Sequence, residues 1–156
     1  MYTNYMADTS LNEDRLGLLV WQTSNFWQSN LRKIIKIHQI SLNEYFIIET
    51  IFKLSPLIQH ISQITISKNA CLDVSVVSSN LILLEKKKII TKFKIDNRTN
   101  GISLTNKGIS LIKSIIDTIT NEEIVFFNKL GNETFNFKNS LKLLLGKKIR
   151  IKAKNE

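Results

Sequence analysis

Arginine and lysine side chains supply the clearest chemistry in this chain, and that chemistry is the binding of anions. The segment IDNRTNGISLT, Ile95 to Thr105, places Arg98 two residues after Asp96, among polar and glycine residues that favour a turn. Just before it, the segment KKKIITKFK, Lys86 to Lys94, holds five lysines in nine residues. A cation on a turn directly after a lysine cluster indicates contact with a polyanion.

The charge of the chain is unevenly distributed along its 156 residues. Residues 1–85 carry six Lys or Arg against seven Asp or Glu, whereas residues 86–156 carry sixteen against six. An A/T-biased genome can enrich Ile, Lys and Asn together without selection for binding. Such a bias does not, however, concentrate the lysines in the C-terminal half of the chain. The asymmetry therefore predicts a polyanionic partner, which is either nucleic acid or an anionic membrane surface.

Composition limits the classes of protein to which the chain can belong. With 43% hydrophobic and 22% charged residues, five glycines and one proline, residues 1–156 are predicted to form one folded, helix-rich domain. No signal peptide and no apolar run of membrane-spanning length is present, so we expect a cytoplasmic protein without membrane association. A single cysteine excludes an intramolecular disulfide. No metal, phosphate-binding or nucleophile motif is present, so we expect neither an enzyme nor a cofactor.

Three segments of the form Ser/Thr-x-x-Glu predict helix starts, because the hydroxyl caps the third amide of the helix while the glutamate reaches back. They are Ser10 to Glu13, Ser41 to Glu44 and Thr120 to Glu123. An apolar stripe after the first predicts a helix of about 25 residues. The second leads into a helix that is apolar on nearly every side and is ended by LSPL, since proline disfavours a helical residue before it.

Two short helices in close succession predict a helix-turn-helix. Ser62 is placed to cap a helix over Gln63 to Ala70, and Asp73 to cap another from Val74 to about Lys87. An apolar stripe anchors the second helix and consists of Val77, Leu81 and Leu84. Short side chains that a duplex can approach closely make up its candidate DNA-contacting residues: Ser75, Val76, Ser78, Ser79 and Asn80.

A β-hairpin is predicted after this second helix. The lysine cluster continues into an alternating strand, DNRTNG forms the turn, and Ile102 and Leu104 lie on the returning strand. Thr105 is placed to cap the next helix. The order of elements is that of a winged helix, with a core over residues 41–119, a recognition helix over 74–87 and a wing over 91–104. The candidate contacts of the wing are Lys92, Lys94, Asn97, Arg98 and Asn100.

In this arrangement the recognition helix enters the major groove of DNA with its N-terminal half leading. Arg98 then reaches the neighbouring minor groove or the backbone. Asp96 is expected to fold against the turn or to orient Arg98 rather than to touch the anion.

The segment from Asp73 to Gly108 resembles the multiple-antibiotic-resistance regulator (MarR) family of bacterial transcription factors. The family pattern, Asp-x-Arg and then Leu-Thr-x-x-Gly, matches Asp96, Arg98, Leu104, Thr105 and Gly108. The resemblance implies a mainly α-helical homodimer with a small β-hairpin wing, bound to a pseudo-palindromic operator and often tuned by a small-molecule effector or by thiol oxidation. It also implies dimerisation helices at about 10–40 and 120–146, followed by a basic tail over 147–156.

The chain departs from the family pattern at several positions. The family often has Arg where this chain has Ser79, and Gly where it has Cys71 and Lys88. Ile82 and Leu83 are apolar where polar residues are usual. Because a bidentate arginine on guanine is the commonest specific contact, the loss of the Arg shifts the expected recognition towards phosphate contacts and DNA shape.

Other residues allow a functional and a structural interpretation. Cys71 is either a redox sensor or, as we favour, a small apolar residue packed in the turn. His38 and His60 lack a third group at a recognisable spacing, which argues against a metal site and against a nucleophilic pair with Cys71. Three aromatic residues line an effector pocket or, more commonly, belong to a core or interface: Trp21, Phe26 and Trp27.

The predicted function is that of a sequence-specific, DNA-binding transcriptional regulator. The competing hypothesis is a MarR-like dimer that has turned to binding a protein partner, with only non-specific DNA binding or none. A weaker third hypothesis is peripheral membrane attachment through the lysine-rich half. The tail either touches DNA phosphates or is a frayed end. Whether the final helix breaks at Gly131 stays open.

Overall fold

The computed structural model describes residues 15–149. Contacts divide the chain into two compact units, the first ending at Ile119 and the second beginning at Thr120. In chain order the elements are α1 (Leu16–Ile35), α2 (Leu42–Leu54), α3 (Gln63–Ala70), α4 (Val74–Lys86), β1 (Ile90–Lys94), β2 (Asn100–Leu104), α5 (Asn106–Phe127) and α6 (Thr134–Leu144). Strands β1 and β2 form an antiparallel hairpin. The predicted fold class, mainly helical with a small hairpin wing, is confirmed.

Side-chain caps start α2, α3 and α4 where the sequence predicts them. Ser41 and Glu44 form a complete capping box at α2: the Glu44 amide donates to the Ser41 hydroxyl at 3.2 Å, and the Ser41 amide donates to the Glu44 carboxylate at 2.7 Å. Ser62 caps α3, and Asp73 caps α4. Ser10 lies outside the described residues. The helix predicted to follow it, of about 25 residues, is shorter: α1 begins at Leu16, after Arg15, which makes no side-chain cap, and has 20 residues.

The helix start predicted at Thr120 is wrong. Helix α5 begins after Thr105, whose hydroxyl accepts from the Gly108 amide at 3.1 Å, and runs without interruption to Phe127. Amides in mid-helix already bond to the carbonyls four residues earlier, so the Ser/Thr-x-x-Glu pattern has nothing to cap there. The chain does break at Gly131, which has φ 51° and ψ −124°, and α6 follows at Thr134.

Isoleucine and leucine side chains from all five helices α1 to α5 and from the hairpin form most of the core of the first unit. The predicted anchoring stripe of α4 is confirmed, because Val77, Leu81 and Leu84 are buried. Burying this stripe fixes the rotation of α4 about its own axis. The opposite side of the helix, with Ser75 and Ser79, therefore faces outward and is exposed.

A buried carboxylate joins the start of α2 to the end of α4. Lys87 Nζ lies 2.7 Å from Glu44 Oε1 and 2.9 Å from Oε2, and it also donates to the Gln39 carbonyl at 3.0 Å. The Glu44 side chain is 3% exposed, so its charge is compensated by Lys87 and by the Ser41 amide. Lys87 is therefore a structural residue within the lysine cluster.

Two positions at which the resembled family has glycine hold a left-handed backbone in this chain. Cys71 has φ 53° and Lys88 has φ 58°. Cys71 is the C-cap of α3 and is exposed, so the expectation of a packed apolar residue there is wrong. The reason is that the left-handed cap turns its side chain towards solvent, while the next residue, Leu72, packs against the core.

Replacing Lys88 by glycine is expected to stabilise the protein by about 0.5–1 kcal/mol. A left-handed conformation costs a residue with a Cβ about 1–2 kcal/mol, and glycine removes this cost. Part of the resulting stabilisation is offset by the greater freedom of glycine in the unfolded chain. The matched control is Lys86→Gly, in the last turn of α4, which is expected to destabilise by up to about 1 kcal/mol. Urea unfolding measures both, and shifts of the same sign would contradict the prediction.

Candidate DNA-binding surface

The turn between α3 and α4 is held by two side-chain hydrogen bonds. Ser67 Oγ donates to the Leu72 carbonyl at 2.7 Å, and Gln63 Nε2 donates to the Val74 carbonyl at 3.1 Å. Each bond runs from a side chain of α3 to a backbone carbonyl, one in the linker and one on the first residue of α4. The two helices are thereby fixed as one helix-turn-helix.

The outward side of α4 carries the predicted recognition residues. Ser75 and Ser79 are exposed, whereas Val76, Ser78 and Asn80 are half-buried. All five lie within the first two turns of the helix. The structure therefore brings them together, with the two serines the most accessible.

The tip of the hairpin is a turn built around Asp96. Its Oδ1 accepts from the Arg98 amide at 2.7 Å and from the Thr99 amide at 2.6 Å. These two bonds hold the pKa of the Asp96 carboxyl below its usual value. The prediction that Asp96 folds against the turn is confirmed, and the Arg98 side chain is exposed beside it together with Asn97 and Asn100.

The lysines of the wing do not have equal freedom to meet an anion. Lys92 is half-buried and pairs with Glu85 of α4, with 2.9 Å between Nζ and Oε2. Lys94 is exposed and forms no ion pair among residues 15–149. The same is true of Lys86 and Lys88, which the site prediction omitted although they belong to the lysine cluster that motivated it.

Lys94→Ala is expected to weaken binding to any duplex and to lower the salt dependence of the affinity by about one counterion per protomer. Lys92→Ala is expected to have a clearly smaller effect, because Glu85 already neutralises much of the Lys92 charge. Binding constants between low and near-physiological salt give both slopes. Equal slopes for the two variants would mean that the Lys92–Glu85 pair opens on binding.

The Leu-Thr-x-x-Gly segment holds the hairpin to α5. Thr105 Oγ1 donates to the Lys88 carbonyl at 2.8 Å, and its amide donates to the Ile89 carbonyl at 3.0 Å. A Cβ on Gly108 would stand 2.2 Å from that Ile89 oxygen. Glycine is thus required for α5 to approach the chain just before β1, and this contact sets the base of the wing.

The remaining candidate groups do not assemble into a second site. Within residues 15–149 no three His, Cys, Asp or Glu side chains are placed to hold a metal ion. His60 instead lies beside the Phe93 ring, with 6.2 Å between centroids. Trp27 packs against the core, whereas Trp21 and Phe26 are exposed on α1.

No helix in the described part of the chain has the length and apolar character needed to span a bilayer.

A helix-turn-helix followed by a basic hairpin makes the first unit a winged-helix structure. The fold is that of the MarR-family regulators, as the sequence resemblance predicts. The DNA complex of MepR from Staphylococcus aureus matches with a TM-score of 0.76 and 21% identity, over 84% of this chain and 96% of that chain. A MarR-family transcriptional regulator from Rhodococcus sp. RHA1 matches with a TM-score of 0.75 and 14% identity, over 88% and 97%.

A third structure with this fold is NadR in complex with 4-hydroxyphenylacetate. It matches with a TM-score of 0.69 and 18% identity, over 83% of this chain and 93% of that chain. No protein-family model and no curated protein matches the sequence.

Proposed function

We propose that this chain is a transcription regulator of the MarR type, which binds a pseudo-palindromic operator as a homodimer. The observation that carries the proposal is the winged-helix unit itself, in which the exposed serine face of α4 is followed directly by a hairpin that exposes Arg98 and Lys94. A helix of this kind fits the major groove, and the cations beside it suit phosphates. The shared fold with MepR, which has been solved bound to DNA, supports the same function.

The operator geometry follows from two copies of this unit. Two α4 helices related by a two-fold axis would occupy successive major grooves, roughly 34 Å apart. Arg98 on each wing would reach the flanking backbone or minor groove. A small molecule that changes the spacing of the helices would shift the dimer between binding and non-binding populations, and the NadR complex with 4-hydroxyphenylacetate supports an effector of this type. Such a regulator acts in the cytoplasm, on the nucleoid.

The second unit supports the dimer part of the proposal. None of its described residues is buried, although it contains a groove of about 560 Å³ whose apolar lining includes Ile124, Phe127, Phe137 and Leu141. A pair of helices that encloses no side chain lacks a core of its own. We infer that a second copy of the chain covers these residues.

Leu145→Asp is expected to weaken the dimer roughly tenfold. Leu145, the C-cap of α6, lines the groove and is 61% exposed in the single chain, so the substitution would place a charge in the interface. The matched control is Ser140→Asp, an exposed polar position of the same helix, which is expected to leave the dimer intact. Sedimentation equilibrium measures both. A monomeric parent protein, or equal effects of the two substitutions, would exclude this surface from the dimer.

The experiment that tests the function is selection from a pool of random duplexes at near-physiological salt, followed by sequencing of the retained DNA. We expect enrichment of an inverted repeat, which would give the half-sites. Retention without enrichment, lost steeply as salt rises, would show that the lysines bind phosphate and α4 reads nothing. That result would overturn the proposal in favour of a protein-binding module, as would the absence of any retained duplex.

A further inference from the structure

The outward side of α4 has an unusual chemical character for a helix that reads DNA. From Val74 to Leu84 the sequence contains no charged residue. Beyond the two exposed serines lies Ile82, which is 48% exposed. The commonest specific contact, a bidentate Arg or Lys on the N7 and O6 acceptors of guanine, therefore cannot come from this part of the helix.

The two hydroxyls of this side are engaged as donors within the chain. Ser75 Oγ donates to Asp73 Oδ1 at 2.5 Å, and Ser79 Oγ donates to the Val76 carbonyl at 3.0 Å. What each hydroxyl offers outward is consequently its lone pairs. The Asp73 carboxylate, whose pKa is held below its usual value by the Ser75 hydroxyl and then by the Ser75 amide, adds another acceptor.

A surface of hydrogen-bond acceptors and apolar groups complements one kind of base pair better than the other. In the major groove an A·T pair offers the N6 amino donor of adenine and the 5-methyl group of thymine. A G·C pair also offers a donor, the N4 amino group of cytosine, but it has no methyl group for Ile82. Its guanine offers two adjacent acceptors, which would face the serine lone pairs without a proton between them. A surface of this kind is suited to A·T pairs and unfavourable for guanine.

We propose that α4 selects A·T pairs, with Ser79 Oγ accepting from an adenine N6 amino group and Ile82 packing on a thymine methyl group. The inference rests on the proposed function and specifies the DNA sequence that it reads. Charge complementarity supports DNA as the occupant of this surface, because Lys86 and Lys88 at the end of α4 are exposed and form no ion pair within the described chain. These two lysines are available to bind the phosphates that flank the contacted bases.

The test replaces thymine by deoxyuridine, one position at a time, in the half-site enriched from random duplexes. This change removes the methyl group and keeps the base pair. At each contacted position we expect the affinity to fall about three- to fivefold, as for the loss of one buried methyl group. In Ile82→Ala the thymine and deoxyuridine duplexes should bind alike at the position that Ile82 contacts. The control Leu57→Ala, an exposed residue between α2 and α3, should keep the full difference.

A gain of function provides the second readout. Ser79→Arg introduces a bidentate donor on α4. When the selection from random duplexes is repeated with this variant, guanine should be enriched at one position of each half-site.

The possible outcomes separate the inference from the function on which it rests. Two results would overturn the inference while leaving the proposed function intact. One is an inverted repeat that binds equally well with thymine or deoxyuridine at every position, and the other is guanine at a position that α4 contacts in the parent protein. Failure to retain any duplex would overturn both, and the half-exposed Ile82 would then be assigned to a protein partner.

Discussion

Gly108→Ala is expected to lower the free energy of unfolding by about 3 kcal/mol, although Gly→Ala within a helix ordinarily raises it by about 1 kcal/mol. The new Cβ would stand 2.2 Å from the Ile89 carbonyl oxygen and 3.2 Å from its carbon. These are backbone atoms, and the oxygen already accepts from the Thr105 amide at 3.0 Å. The start of α5 must therefore move away from the hairpin and lose the Thr105 contacts.

The matched control is Gly17→Ala in α1, where nothing lies within 4 Å of the added Cβ. There the helix propensity of alanine acts alone, so stability should be unchanged or slightly raised. Urea unfolding monitored by circular dichroism compares the two variants. A Gly108→Ala protein as stable as the parent would show that the close approach of α5 to Ile89 does not hold the base of the wing.

Arg98→Ala is expected to weaken operator binding by at least about thirtyfold, an estimate based on about 1–3 kcal/mol for each of the two arginine contacts of a dimer. The side chain is exposed at the tip of the hairpin, and its backbone is fixed by the two amide bonds to Asp96. A homodimer loses both wing contacts at once. The salt dependence of the affinity should fall by about two counterions per dimer.

Two further variants separate charge from geometry at this position. Arg98→Lys keeps the charge and loses the planar fork of donors, so it should retain the salt dependence while binding more weakly than the parent. Lys53→Ala, on α2 and paired with Glu49, should leave binding unchanged. Fluorescence anisotropy with the selected operator measures all three. Parent-like affinity of Arg98→Ala would remove the wing from the mechanism.

Much of the fold was predictable because its signals are local. Ser41, Ser62 and Asp73 each lie one residue before the helix that they cap, and the spacing of Val77, Leu81 and Leu84 defines the inner side of α4 without any knowledge of the partners. The turn at Asp96 is similarly local, since its hydrogen bonds span two and three residues. Hence the helix-turn-helix and the wing follow from sequence.

The errors arose where the structure depends on context that a short pattern does not contain. The Thr120 pattern is that of a cap, but whether a helix is already running there depends on the residues before it. The left-handed conformation of Cys71 depends on how α3 meets α4, which controls its exposure. The pairing of Lys92 with Glu85 and of Lys87 with Glu44 depends on tertiary contacts, so the sequence could not divide the lysine cluster into free and occupied cations.

The contact between Lys87 and Glu44 joins residues 43 positions apart in the chain, and this has a consequence for the order in which the protein opens. The first turn of α2 and the last turn of α4 depend on the same carboxylate, which also caps α2 through the Ser41 amide. Their amide protons should therefore exchange with solvent at a common free energy of opening, as one cooperative segment. A peptide cut from α3 to β2 would retain every residue of the reading surface and would lack the carboxylate that secures the far end of its recognition helix.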